Sequence, residues 1–115
     1  MRRWRTLRSG AVLSVIVIAT LTPKPGRNQE ILDALAVVSP KAHAEPGCEL
    51  YAAHTDGDRV IMVERWSTAD HLAAHGAGAA LAELNELTGH AVAGPAEVRV
   101  LANMPFGDPA KGTIQ

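Results

Sequence analysis

A chain of 115 residues makes one domain with one core, and because only Trp4, Tyr51, Trp66 and Phe106 are aromatic, Ala, Val and Leu must fill that core. The formal charge is −1, but Arg2, Arg3, Arg5 and Arg8 crowd the start; without them 7 basic side chains face 12 acidic ones, an acidic body that argues against a nucleic-acid partner. Cys48 is the lone cysteine, which excludes an intramolecular disulfide and a cysteine-based metal site and leaves the redox compartment unconstrained.

The four arginines followed by the apolar run Ala11 to Leu21 imitate a secretory signal peptide. The run is too short to span a membrane, and no small-x-small cleavage site follows it. Residues 1–10 therefore read as a disordered extension ahead of a domain over 11–105. The expected location is the cytoplasm, without a membrane partner. Leu13 to Leu21 is instead a continuous β-branched run of the kind that forms a strand buried on both faces. Thr22-Pro-Lys-Pro-Gly26 stops it. A helix is expected from Asn28 to Ala44, with Ile31, Leu35, Val38 and Ala42 on its inner stripe, kinked or shortened by Pro40.

Cys48 to Thr55 and Val60 to Trp66 read as two strands, and Asp56-Gly57 between them is a type I′ hairpin signal. A two-residue loop would pair Thr55 with Asp58, Tyr51 with Met62 and Glu49 with Glu64. Glu49, Tyr51, Met62, Glu64 and Trp66 would then share one face, and Leu50, Ala52, Ile61, Val63 and Arg65 the other. Ser67, with Asp70 three residues on, looks like a capped helix start running to His75. Gly76-Ala-Gly78 interrupts the run, and a second helical piece continues to Leu87 with Leu81, Leu84 and Leu87 inward. A last strand alternates over Glu97 to Met104. The order β-α-β-β-α-β is a ferredoxin-like α+β arrangement with helices on one face of a four-stranded antiparallel sheet. The other face is too apolar for water, so a second copy is expected to cover Leu50, Ala52, Ile61 and Val63. Residues 106–115 form a tail that has no core to join.

Three segments carry a family resemblance: VIATLTPKPG over 17–26, EPGCELY over 45–51 and ERWSTADHLAAH over 64–75. In this order and spacing they resemble the antibiotic biosynthesis monooxygenase family, and within it the small quinol monooxygenases, which share a strand ending in Glu-x-Trp and a His nine residues after the Trp. The resemblance implies a dimeric α/β barrel. It implies oxidation of electron-rich phenols or hydroquinones by O2 without metal or flavin, so no cofactor is expected.

Such chemistry needs a dry cavity, a group that takes the phenolic proton and donors that hold the anion. His75 stands where the family's motif His lies, and an unperturbed imidazole suits proton transfer near neutrality; its rival role is to cap helix carbonyls. Trp66 could wall the cavity and donate its N–H, or be an ordinary core aromatic. Glu64, on the same face, is a poised base or the partner of an arginine. Tyr51, Met62 and Trp66 are the expected substrate contacts. His71 and His75 have metal-ligand spacing, but no third ligand accompanies them, so no metal is expected.

Departures narrow the reading. Haem-degrading relatives carry an Asn and a His where this chain looks to have Ala19 and Leu84, and aromatic-polyketide oxidases an Asn where it has Met62. What remains is a homodimeric, cofactor-independent monooxygenase for a quinol or similar phenol. The rival is a non-catalytic module that binds a small aromatic ligand on the same fold.

Overall fold

The computed structural model describes residues 14–115; the expected disordered extension over residues 1–10 and the start of the first strand at Leu13 lie outside them. The elements are β1 (Val15–Leu21), α1 (Asn28–His43), β2 (Cys48–Thr55), β3 (Val60–Trp66), α2 (Ala69–Gly76), α3 (Ala79–Thr88) and β4 (Glu97–Leu101). They form a ferredoxin-like α+β fold: one antiparallel sheet in the order β2-β3-β1-β4, with the helices packed on one face. The part of the apolar run from Val15 to Leu21 forms β1, a central strand paired with β3 on one side and β4 on the other.

The inner, helix-facing side holds the core. Ile31, Leu35, Val38 and Ala42 of α1 are buried, as their spacing predicts, and Ala34 with them, against Val17, Leu21, Val60 and Met62 of the central strands. Pro40 does not end α1. It sits in the last turn, where the backbone donor it lacks would have bonded Ala36, and the helix runs on to His43. Along β3, Val60, Met62, Glu64 and Trp66 are buried while Ile61, Val63 and Arg65 are half-buried, so the strand is two-sided only in part.

The hairpin differs from the two-residue reading. Thr55 pairs with Val60, leaving the four-residue loop Asp56-Gly57-Asp58-Arg59, and Tyr51 pairs with Glu64 rather than Met62. Asp56 makes the longer loop: its carboxylate accepts from the backbone N–H groups of Asp58 and Arg59 at 2.9 and 2.8 Å, an Asx turn that outcompetes the tighter one. A two-residue slip preserves strand parity, so Tyr51, Met62, Glu64 and Trp66 still share the inner face. Glu49 does not join them. A bulge sets Cys48 opposite Trp66 and Leu50 opposite Arg65, and Glu49, the extra residue, takes the outer side, where its Oε1 lies 2.7 Å from Arg65 Nε.

Three other expectations shift. The residue capping α2 is Thr68, not Ser67: its side chain accepts from His71 N–H, while Ser67 Oγ instead meets His71 Nδ1 at 2.9 Å. In α3, Leu84 is buried but Leu87 is 39% exposed, because the helix turns Thr88 inward to donate its hydroxyl to the Leu84 carbonyl. The last strand ends at Leu101 rather than Met104. Leu101 pairs with Ile16, so the residues beyond soon outrun β1, and Asn103 turns its amide to the Ile114 backbone instead. The tail is held to the sheet's outer face by Arg65 Nη1, which donates to the Ile114 carbonyl at 2.8 Å.

Gly47, between α1 and β2, shows how tightly this corner is built. Its φ is +79°, and a Cβ there would stand 2.2 Å from Cγ of His71. Gly47→Ala is expected to cost roughly 1–3 kcal/mol from backbone strain plus the displaced ring. Gly26→Ala, at φ +76° but in open space, should cost only about 1 kcal/mol. Urea unfolding of the two variants checks the difference; equal losses would remove the argument for packing at Gly47.

Candidate active site

The site is built on the inner end of β3. Met62, Glu64 and Trp66 project to the same side, and all three are buried. The Trp66 Nε1–H donates to Glu64 Oε1 at 2.9 Å, a bond that two residues of one strand face can make without help from elsewhere. The α2 helix then folds back over the strand it follows. In its last turn, His75 stacks on the Trp66 indole with centroids 4.5 Å apart and planes 28° from parallel. Its other neighbour is Tyr51, met edge-on at 5.7 Å.

Tyr51 arrives from β2 opposite Glu64. His43, in the last turn of α1, steadies it by donating Nε2–H to the Tyr51 carbonyl at 2.8 Å and by an edge contact with the ring. His75 Nδ1 lies 2.6 Å from Glu45 Oε1. Glu45 comes from the Glu-Pro-Gly turn between α1 and β2, a residue the sequence reading passed over because it lies 30 positions from its partner. Its only signal was membership in the EPGCELY segment.

Between this cluster and α2 and α3 lies a cavity of about 190 Å³. Its walls are largely apolar, with Val17, Ala19, Leu72, Leu81, Leu84 and Val98 among them. Glu64, His75 and Tyr51 are gathered in the lining together with Met62, and Asn85 stands at the α3 side. His75 Nε2 and the Tyr51 hydroxyl have no hydrogen-bond partner among the described residues and are not sealed in the core. Both are free to meet a guest.

Burial pushes the Glu64 carboxyl above its usual range; the Trp66 N–H and the neighbouring imidazole of His75 oppose the shift, and Glu45 adds to it. Burial also raises the Tyr51 phenol, reinforced by Glu64 and Glu45, so it is a neutral hydroxyl and a donor at neutral pH. The arrangement can accept a proton, donate a hydrogen bond and hold a flat apolar ring.

The structure brings together five expected residues, His75, Trp66, Glu64, Tyr51 and Met62, but Trp66 does not take its expected place. It lies beneath His75, fully buried and outside the cavity lining, and Glu64 already accepts its N–H, so it neither walls the cavity nor offers a donor to a ligand. The cause is α2, which lays His75 across the indole. The carbonyl-capping role for His75 is likewise absent, since its Nδ1 is engaged by Glu45. Glu64 pairs with an indole rather than an arginine; the Arg65 beside it points to the outer face. His71 and His75 do not converge: His71 Nδ1 meets the hydroxyls of Ser67 and Thr68, both at 2.9 Å. Among the described residues no three His, Cys, Asp or Glu side chains stand close enough to hold a metal ion.

The raised Glu64 has a consequence for stability. A carboxyl that binds its proton more tightly when folded stabilises the fold fully below its unfolded pKa, near 4.5, and that contribution is lost as pH rises through the folded value. Glu64→Gln keeps the hydrogen bond from Trp66 and removes the titration. Relative to wild type, the variant is therefore expected to gain stability on going from about pH 4.5 to about pH 7.5, read from urea midpoints at the two pH values. A pH-independent difference would contradict the burial of a titrating carboxyl.

The chain matches the antibiotic biosynthesis monooxygenase family over residues 14–87. It is 33% identical to the probable quinol monooxygenase YgiN of Escherichia coli K12, aligned over 51% of this chain and 69% of that one. Its fold is similar to that of Rv0793 from Mycobacterium tuberculosis, with a TM-score of 0.72 at 26% identity, covering 79% of this chain and 95% of that one. PA3566 from Pseudomonas aeruginosa shares the fold with a TM-score of 0.73 at 21% identity, over 80% and 95% of the two chains. The family match runs from β1 into α3 and takes in Tyr51, Met62, Glu64, Trp66 and His75 as well as Glu45: the chain belongs to the antibiotic biosynthesis monooxygenase family.

Proposed function

We propose that the protein is a homodimeric, cofactor-independent monooxygenase of the cytoplasm that oxidises a quinol or a similar small phenol with O2. The observation that carries this reading is the apolar cavity into which His75, Glu64 and Tyr51 converge. The relative named as a probable quinol monooxygenase favours a quinol over other phenols. His75 Nε2 would take the phenolic proton, the Tyr51 hydroxyl would donate to the resulting oxyanion, and Met62 with the aliphatic wall would hold the ring. The anion then gives an electron to O2. One oxygen atom enters the ring and the other leaves as water, and because a hydroquinone becoming a hydroxyquinone gives up all four electrons that O2 takes, no external reductant is required.

Oxygen uptake with a panel of hydroquinones, with and without chelator, tests the reaction. Turnover is expected with at least one of them and no change on chelation. His75→Ala should lower that turnover by roughly two to four orders of magnitude, the usual yield of a placed proton acceptor. Normal turnover in the variant would transfer the role to Glu64. Saturable binding of a quinol without oxygen uptake would favour the non-catalytic binding module instead.

The dimer rests on surfaces that a single chain leaves open. Leu50, Ala52, Ile61 and Val63 on the outer face are only half-buried, and the edge strand β4 exposes Val98, Val100 and Leu101. Val98 is 57% exposed although it borders the cavity, so a partner lying over β4 would also help to dry the site. Light scattering is expected to give twice the chain mass at micromolar concentration; a monomer would end this part of the reading.

A further inference from the structure

We propose that Glu45 is the positioning residue of the site: it holds His75 as the Nδ1–H tautomer, so that the bare Nε2 is presented to the cavity. The inference rests on the reading of His75 as proton acceptor, but its central claim concerns the imidazole alone.

A neutral imidazole has one nitrogen that donates and one that accepts, and the partner of either decides both. A carboxylate can only accept, so the 2.6 Å contact between Glu45 Oε1 and Nδ1 puts the proton on Nδ1. Among the described residues nothing competes for the other nitrogen, and the ring cannot easily turn to exchange them. Trp66 lies flat against one side and Tyr51 meets it edge-on. When Nε2 takes a proton, the same carboxylate faces the new positive charge, as in any acid–imidazole pair that serves a nucleophile or a phenol.

Glu45 is itself held rigidly enough to do this. Its backbone N–H donates to the Ala42 carbonyl at 3.1 Å, and its carbonyl accepts from Cys48 N–H at 3.2 Å, closing the Glu-Pro-Gly turn at both ends. Its second oxygen lies beside Gly78, the N-cap of α3, where a Cβ would come within 3.0 Å of it. No side chain caps that helix and no acid stands in its first turn, so the Glu45 carboxylate brings negative charge to the positive end of α3 from another element. The α1–β2 turn, the end of α2 and the start of α3 meet at this one carboxylate.

The test is ¹⁵N spectroscopy of the imidazole in the full chain, alongside oxygen uptake. In the native protein at a pH where His75 is neutral, Nδ1 is expected to be protonated and Nε2 bare. Glu45→Gln should shift the ring toward the Nε2–H tautomer or a mixture, because an amide can also donate to Nδ1. With a quinol that is turned over, kcat should fall roughly 100-fold or more with KM within about threefold. A residue that merely braced the fold would lower the melting temperature and leave the tautomer alone. If Glu45→Gln does not fold, Glu45→Asp carries the same two readouts, with the shorter side chain expected to weaken the tautomer preference partially. A native protein with its proton on Nε2, or a folded variant with native tautomer and rate, overturns the proposal. Should no quinol be oxidised, the tautomer measurement still decides it, and only the reading of the reaction fails.

Discussion

A carboxyl group placed inside an apolar sheet is the constraint on which the rest of this domain depends. Glu64 sits on the inner face of a central strand, between Met62 and Trp66, where a lone carboxylate would cost several kcal/mol. The strand offers the first remedy itself, since Trp66 is two residues on and reaches back with its N–H. An indole of that size must in turn be covered, and α2 does so by folding directly back and laying His75 over it. His75 is then a second buried polar group in need of a partner, and Glu45 meets it from the α1–β2 turn. Each burial creates the requirement that the next contact satisfies.

This chain of contacts explains why the connections are tight. Gly47 has to lack a side chain because His71, one turn before His75, packs on it, and Ser67 N–H bonds the Gly47 carbonyl at 2.9 Å. Thr68 rather than Ser67 caps α2, so the helix begins one residue later than the Ser suggests and Ser67 is left to orient His71. The α1–β2 and β3–α2 connections are here tied to the cavity cluster.

Much of the architecture was legible because it rests on periodicity. The 3.6-residue stripe of α1 places that helix to within a residue, the β-branched run of β1 gives its end at Leu21, and strand parity puts Tyr51, Met62, Glu64 and Trp66 on one face even though the hairpin pairing is two residues out. Parity fails wherever a residue is inserted, and the bulge at Glu49 is invisible to it: nothing in Cys48-Glu49-Leu50 announces that two residues will face one. Site residues were legible in the same uneven way. Those within Glu64 to His75 could be named from one local segment, whereas Glu45 joins them only through a tertiary contact spanning 30 positions. Trp66 lies on the expected strand face but does not wall the cavity, because sequence spacing places a side chain on a face without saying what will lie on top of it.

The cavity divides its two tasks cleanly. Glu64, His75 and Tyr51 supply all the titratable groups of the lining, and Ala19, Leu84 and Val98 help to form a wall that can neither donate nor accept. Ala19 and Leu84 both line this same space, so their apolar character shapes the cavity rather than some remote surface. Met62 is likewise in the lining. A guest that satisfies such a cavity sets its polar atoms toward Glu64, His75 and Tyr51 or toward Asn85, and an apolar body against the aliphatic wall. A ligand polar all round its edge would leave groups unpaired against the aliphatic wall, at a cost of roughly 1–3 kcal/mol for each.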